Sequence, residues 1–179
     1  MELAGSGYLY TLAVVATTFA GFAVITMIFH QVYGGHVTKL DSFVARTFTQ
    51  VGFLATLGAL LPPLVAQFEL TPATVWRAAS AGLAALLGLW SLSFPHRRHK
   101  AATTPIPPLV WSVVVVLDLT AILLLGNALL SLPAHAAGIY SVATTVILAG
   151  GASFFPHSLT FLFERRPDTD PPRRKAKSA

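Results

Sequence analysis

Five stretches of about 20 mostly apolar residues follow one another along the chain, and they constrain its fold more than any other feature. An α-helix rises about 1.5 Å per residue, so a stretch of this length covers a hydrocarbon core of roughly 30 Å. The stretches occupy residues 8–29, 43–61, 73–94, 109–132 and 137–163. Each ends on proline, glycine or charge: Pro62 and Pro63 are expected to stop or kink the second helix, and the third and fourth are expected to end at Pro95 and Pro133. Of the 179 residues 54% are hydrophobic and 11% are charged. A water-soluble domain carries roughly 25% charged residues and could not bury this much apolar surface. The expected fold is all-α: a polytopic bundle of five transmembrane helices over residues 1–164, followed by a basic, Pro-rich tail over 165–179.

The first stretch is expected to stay in the mature chain. Only Glu2 carries charge before it, where a signal peptide needs a basic start, and its apolar run is too long for a signal. The tail, ERRPDTDPPRRKAKSA from Glu164 on, is too poor in apolar residues to offset its ordering entropy. It is expected to be disordered near anionic headgroups.

Lysine and arginine orient the spans. Lys39 and Arg46, then Arg97, Arg98 and Lys100, then Arg165, Arg166, Arg173, Arg174, Lys175 and Lys177 fall on one side of a five-span chain. The other side holds Glu2, Glu69 and the uncharged loop around His135, with Arg77 as the exception. The positive-inside bias predicts an outside N-terminus and a cytoplasmic C-terminus, and points to a bacterial inner membrane. A net charge of +5 gathered at span ends belongs to membrane orientation, not to a nucleic-acid groove. Tyr8, Tyr10, Trp76 and Tyr140 are expected at outer span ends, and Tyr33, Trp90 and Trp111 at inner ones, where amphipathic rings meet headgroups.

Small residues fall at helical spacing in three spans: Ala13, Thr17, Ala20, Gly21 and Val24; Gly52, Ala55, Thr56 and Ala59; Ala78, Ala81, Gly82 and Ala85. Such faces let helices pack closely where lipid supplies no hydrophobic drive. The fourth span is bulky, with a run from Val113 to Leu117 and another from Leu123 to Leu125, and is expected at the periphery or at an oligomer contact.

Asp118 is the residue that chemistry singles out. It lies nine residues past Leu109, roughly 14 Å into its helix. An ionisable group at that depth is costly and marks a functional candidate. Its neighbours at helical spacing are apolar, and Asn127 points elsewhere around the wheel. A partner must come from another helix or subunit, with Arg46, Gln50 and His157 as the candidates. The sequence leaves two roles open, a structural hydrogen bond or ion pair and a proton or ion path.

No catalytic motif is present, and with no cysteine there is no thiolate chemistry. His30 and His157 are the pair that could ligate haem or a metal, but without HExxH or paired acids no cofactor is expected. The layout TTFAGFAVI, then LLPPLVAQFELTPATVWRAASAGLAAL after a basic turn, resembles small bacterial multi-span membrane proteins of unassigned function. The resemblance implies no activity or ligand. The expected role is a non-enzymatic accessory or oligomer-forming subunit, with a small ion channel or proton-coupled transporter as the alternative. The expected partners are membrane lipids and further copies of the chain or another membrane protein.

Overall fold

A computed structural model describes Leu3 and residues 5–32, 39–101, 108–130 and 135–163. The side chains of His30 and His157, Tyr33 and the tail lie outside the described set. Five helices follow one another: α1 (Ser6–Val32), α2 (Lys39–Ala66), α3 (Pro72–Ala101), α4 (Pro108–Leu130) and α5 (Ala136–Phe163).

Local chemistry sets the helix starts. Gly5 takes a φ of 83° and its carbonyl accepts from the Leu9 amide at 3.1 Å, turning the chain into α1. The Thr71 hydroxyl accepts from the Thr74 amide at 3.4 Å, and Pro72 fills the first helical position, where a missing N–H costs nothing. Between α2 and α3 the chain reverses through Glu69 at a φ of 56°.

α3 outruns the proline expected to end it, and α2 runs on through the pair expected to stop or kink it. α2 continues through Pro62 and Pro63 to Ala66, and α3 continues through Pro95 to Ala101. Pro62 has no amide to offer the Gly58 carbonyl four residues back. The Tyr140 hydroxyl of α5 donates to that carbonyl at 2.6 Å instead. A neighbouring helix thus satisfies what the proline leaves open, which is how spanning helices tolerate proline.

α5 touches all four other helices, and α2 touches α1, α3 and α5. Among the described residues α1 meets only α2 and α5, and α4 only α3 and α5, so each lies at an edge of the bundle. Close approach is built from small residues at the α1–α2 seam. A Cβ at Gly52 would stand 2.8 Å from the Ala20 Cβ, closer than side chains tolerate. The small face of α2 turns inward, with Gly52, Ala55 and Ala59 buried, while that of α1 does so only at Ala13 and Ala20, and Thr17, Gly21 and Val24 are exposed. That of α3 does not. Ala78, Ala81 and Ala85 are exposed, while Ala79, Leu83 and Leu87 fill the core. Two rings read as interfacial are core residues too, since Trp76 and Tyr140 are buried against each other with centroids 5.6 Å apart.

The outside of the bundle is apolar. Leu89, Leu92, Leu119, Ile122 and Leu129 all face outward. Four helices, α2 to α5, each offer 18 or more residues apolar enough to cross a membrane. In α1 the described side chains form an apolar run over Ser6–Phe22, and the helix itself is 27 residues long. Lipid is the solvent this surface fits.

Candidate functional site

α4 turns Val113, Val114, Leu117, Thr120, Leu124 and Asn127 into the bundle. Asp118 follows Leu117, so it sits about 100° round the helix, on the flank between the packed face and the outward one. It is half-buried. It stands ten residues after Pro108 and twelve before Leu130, at the middle of the span. Val115, Leu119, Ile122 and Leu125 around it are exposed. Among the described residues Asp118 has no hydrogen-bond or ion-pair partner.

The side chains expected to meet it lie elsewhere. Arg46 and Gln50 belong to α2, and α2 and α4 do not touch among the described residues. Arg46 is exposed. Gln50 turns to α3: its Oε1 accepts from the Trp90 indole N–H at 3.3 Å and from a terminal N–H of Arg97. The side chain of His157 lies outside the described residues, as does that of His30. Asn127 is buried, and its amide nitrogen donates to the Ser80 hydroxyl at 2.9 Å and to the Ala136 carbonyl at 3.2 Å. That carbonyl only accepts, so it fixes which way the amide faces. The Asn127 Oδ1 is left buried with no described partner.

A second polar cluster gathers where α2 begins and α3 ends. Arg97 folds back along its own helix instead of reaching outward. Its Nε donates to the Ser93 carbonyl at 3.4 Å, and its second terminal nitrogen to the Trp90 carbonyl at 3.1 Å. The guanidinium lies 5.3 Å from the Trp90 ring centroid, a cation–π distance. The next residue, Arg98, is buried and lies 5.9 Å from the Phe43 ring centroid. Sequence reading placed both arginines in a loop, because Pro95 was expected to end the helix.

The remaining polar contacts are local pairs. Tyr8 donates to the Thr145 hydroxyl at 2.6 Å, whose own proton goes to the Ser141 carbonyl at 2.7 Å. Thr144 donates to the Tyr140 carbonyl at 2.9 Å, and Thr120 to that of Val116 at 2.7 Å. Among the described residues no three His, Asp or Glu side chains gather, so neither a metal cluster nor a line of charges leads from Asp118 through the bundle.

The architecture and these sites define an all-α, polytopic membrane protein with four to five long apolar helices. Comparison with protein-family models, curated proteins and solved structures finds no match for the chain.

Proposed function

We propose that this chain is a non-enzymatic subunit of a membrane assembly and that another spanning helix packs against α4. One observation carries the reading: a carboxyl at mid-span, on the flank of a peripheral helix, with no partner among the described residues. A carboxyl facing hydrocarbon is costly as a charge and still wants a hydrogen bond when neutral. A helix with a donor or cation at the same depth supplies it, and the bulky outward side chains of α4 supply dispersion contact. A second copy can do the same, because two carboxyls meeting across a two-fold axis share protons. The protein is read as multi-pass in a bacterial inner membrane, with its basic end in the cytoplasm. The channel alternative needs a polar path leading to Asp118, and among the described residues the polar contacts inside the bundle form separate clusters that do not include it.

The absence of cysteine makes the test clean. Ile122→Cys puts a thiol on the outward face of α4 beside Asp118, and Val14→Cys puts one on the outward face of α1. In native membranes Ile122→Cys labelled with a maleimide–benzophenone reagent, whose photoreactive end inserts into C–H bonds and needs no thiol on the partner, should cross-link to give one defined heavier species. A mass of twice 19.0 kDa means a second copy, and any other mass a different protein. Adding Asp118→Leu should lower the yield several-fold. Cross-linking no stronger than at Val14→Cys would overturn the reading. So would proton flux in liposomes that Asp118→Asn abolishes while thermal stability is kept.

A further inference from the structure

The geometry points to a binding site for the headgroup phosphate of an anionic phospholipid, on the outer surface between α2 and α3 at the basic end of the bundle. Arg46 and Arg97 are its cations. Arg46, Gln50, Phe53 and Leu57 fall at steps of four, three and four along α2, so they form one stripe, and all four are exposed. The stripe is basic at its start, carries an amide one turn on, and is apolar from there to the middle of the span. Gln50 ties this stripe to α3 by accepting from Trp90 and Arg97. Leu89 of α3 is exposed on the bilayer side of the cations. Charge at headgroup level and apolar surface below it repeat the outline of a phospholipid.

The state of Arg97 favours an anion. An arginine near a span end ordinarily reaches out to water. Here the guanidinium turns back seven residues, about 10 Å along the helix, to the Trp90 carbonyl. Its three acceptors are the Gln50 amide oxygen and the Ser93 and Trp90 carbonyls, all neutral. They use three of five N–H groups, so each terminal nitrogen keeps one. No acidic side chain among the described residues pairs with it. A phosphate accepts two parallel N–H bonds from a guanidinium held this way. Arg46 lies one turn before Gln50, so the two cations flank the amide from two helices. A zwitterionic lipid carries its own ammonium to the same place and gains less.

The test is native mass spectrometry of the full chain, released from mixed micelles with phosphatidylglycerol or with phosphatidylcholine, alongside a titration with inorganic phosphate. Wild type should retain phosphatidylglycerol over phosphatidylcholine. Arg46→Gln should cut retention about fivefold, and Arg46→Gln with Arg97→Gln more than tenfold, at about fivefold per basic residue near a membrane surface. Arg77→Gln, at the other end of the bundle, should change nothing. Arg97→Gln also removes intramolecular bonds, so Arg97→Lys, which keeps the charge, should recover part of the retention. If Arg97→Gln does not fold, Arg46→Gln decides alone, because Arg46 makes no described contact. Equal retention of the two lipids, or no loss in a folded Arg46→Gln, would overturn the site. Displacement of the lipid by millimolar phosphate would mean a free anion is the ligand and would overturn the lipid assignment.

Discussion

Helices α2 and α4 are both long and apolar, yet they use their polar groups in opposite ways. In α2 the Gln50 amide is taken by Trp90 and Arg97, the Thr56 hydroxyl by Gly52, and the Gly58 carbonyl by Tyr140. In α4 Thr120 and Asn127 are engaged, but the most costly group on the helix, Asp118, is not. α2 also packs through residues with almost no side chain, while α4 shows lipid a row of leucine and isoleucine. α2 holds three neighbours, and its residues are specified by them. Among the described residues α4 holds two and leaves the flank that carries Asp118 uncovered. An inward helix shows what the fold needs, and an outward polar group left unpaired among the described residues is where the proposed partner would bind.

The largest expected effect tests the inward half of that contrast. Gly52→Leu should abolish folded yield, because even a Cβ there lies 2.8 Å from the Ala20 Cβ and 3.4 Å from its Cα. Gly52→Ala should cost about 1–3 kcal/mol, the usual range for an overpacked site. Gly52→Ala with Ala20→Gly should recover most of it, since the conflicting methyl is gone. Thermal unfolding in detergent reads all three. A mild Gly52→Leu would show that the α1–α2 seam is looser than its geometry.

Next in size is the bond across the proline. Tyr140→Phe leaves the Gly58 carbonyl buried and unpaired, at a cost of about 1–3 kcal/mol. Pro62→Ala restores an amide that can reach the same carbonyl along the helix. The double-mutant cycle therefore has a sign: Tyr140→Phe should cost much less in the Pro62→Ala background than in wild type. Pro62 is itself buried, so Pro62→Ala carries a packing cost, which the cycle cancels. Equal costs in both backgrounds would separate the tyrosine from the proline.

This pair also marks how far sequence reading reaches. The succession of long apolar helices, the place of Asp118 along its helix and the edge position of α4 follow from hydrophobic length and bulk, which are local properties. The expectations that Pro62 and Pro63 stop or kink α2 and that α3 ends at Pro95 also use local rules; α3 runs on to Ala101, and α2 runs on to Ala66 where a tertiary donor meets the freed carbonyl. The donor that carries α2 through Pro62 lies 78 residues further on. Within the chain Arg46 and Gln50 stand apart from Asp118, since α2 and α4 do not touch among the described residues, and depth along a helix says nothing about which helices are neighbours. α3 shows the same limit, since a stripe of small residues marks a packing face only when another helix lies against it. One signal for the Arg97 cluster was in the sequence: a tryptophan seven residues before an arginine lies two turns away, on the same side of the helix.

The smallest expected effect concerns the hydroxyls that seem to join α1 to α2. Thr17 and Thr56 stand 3.2 Å apart, oxygen to oxygen, across the seam. Thr17 also donates to the Ala13 carbonyl at 2.8 Å, and Thr56 to the Gly52 carbonyl at 3.0 Å. Three contacts are drawn, but two hydroxyls hold two protons. Whenever both protons go to their own helices, the cross-helix contact is two oxygens with no hydrogen between them. Forming it gives up one of the shorter bonds, so it adds little. Thr17→Val should therefore shift stability by no more than about 0.6 kcal/mol, the mean for hydrogen bonds between membrane helices. Thr56→Val should behave alike, and the double variant should be close to the sum. A loss beyond about 2 kcal/mol for Thr17→Val alone would mean that the seam depends on this bond rather than on the Gly52–Ala20 approach. The inward helix would then rely on a polar partner as α4 is proposed to do, and the contrast between them would fail.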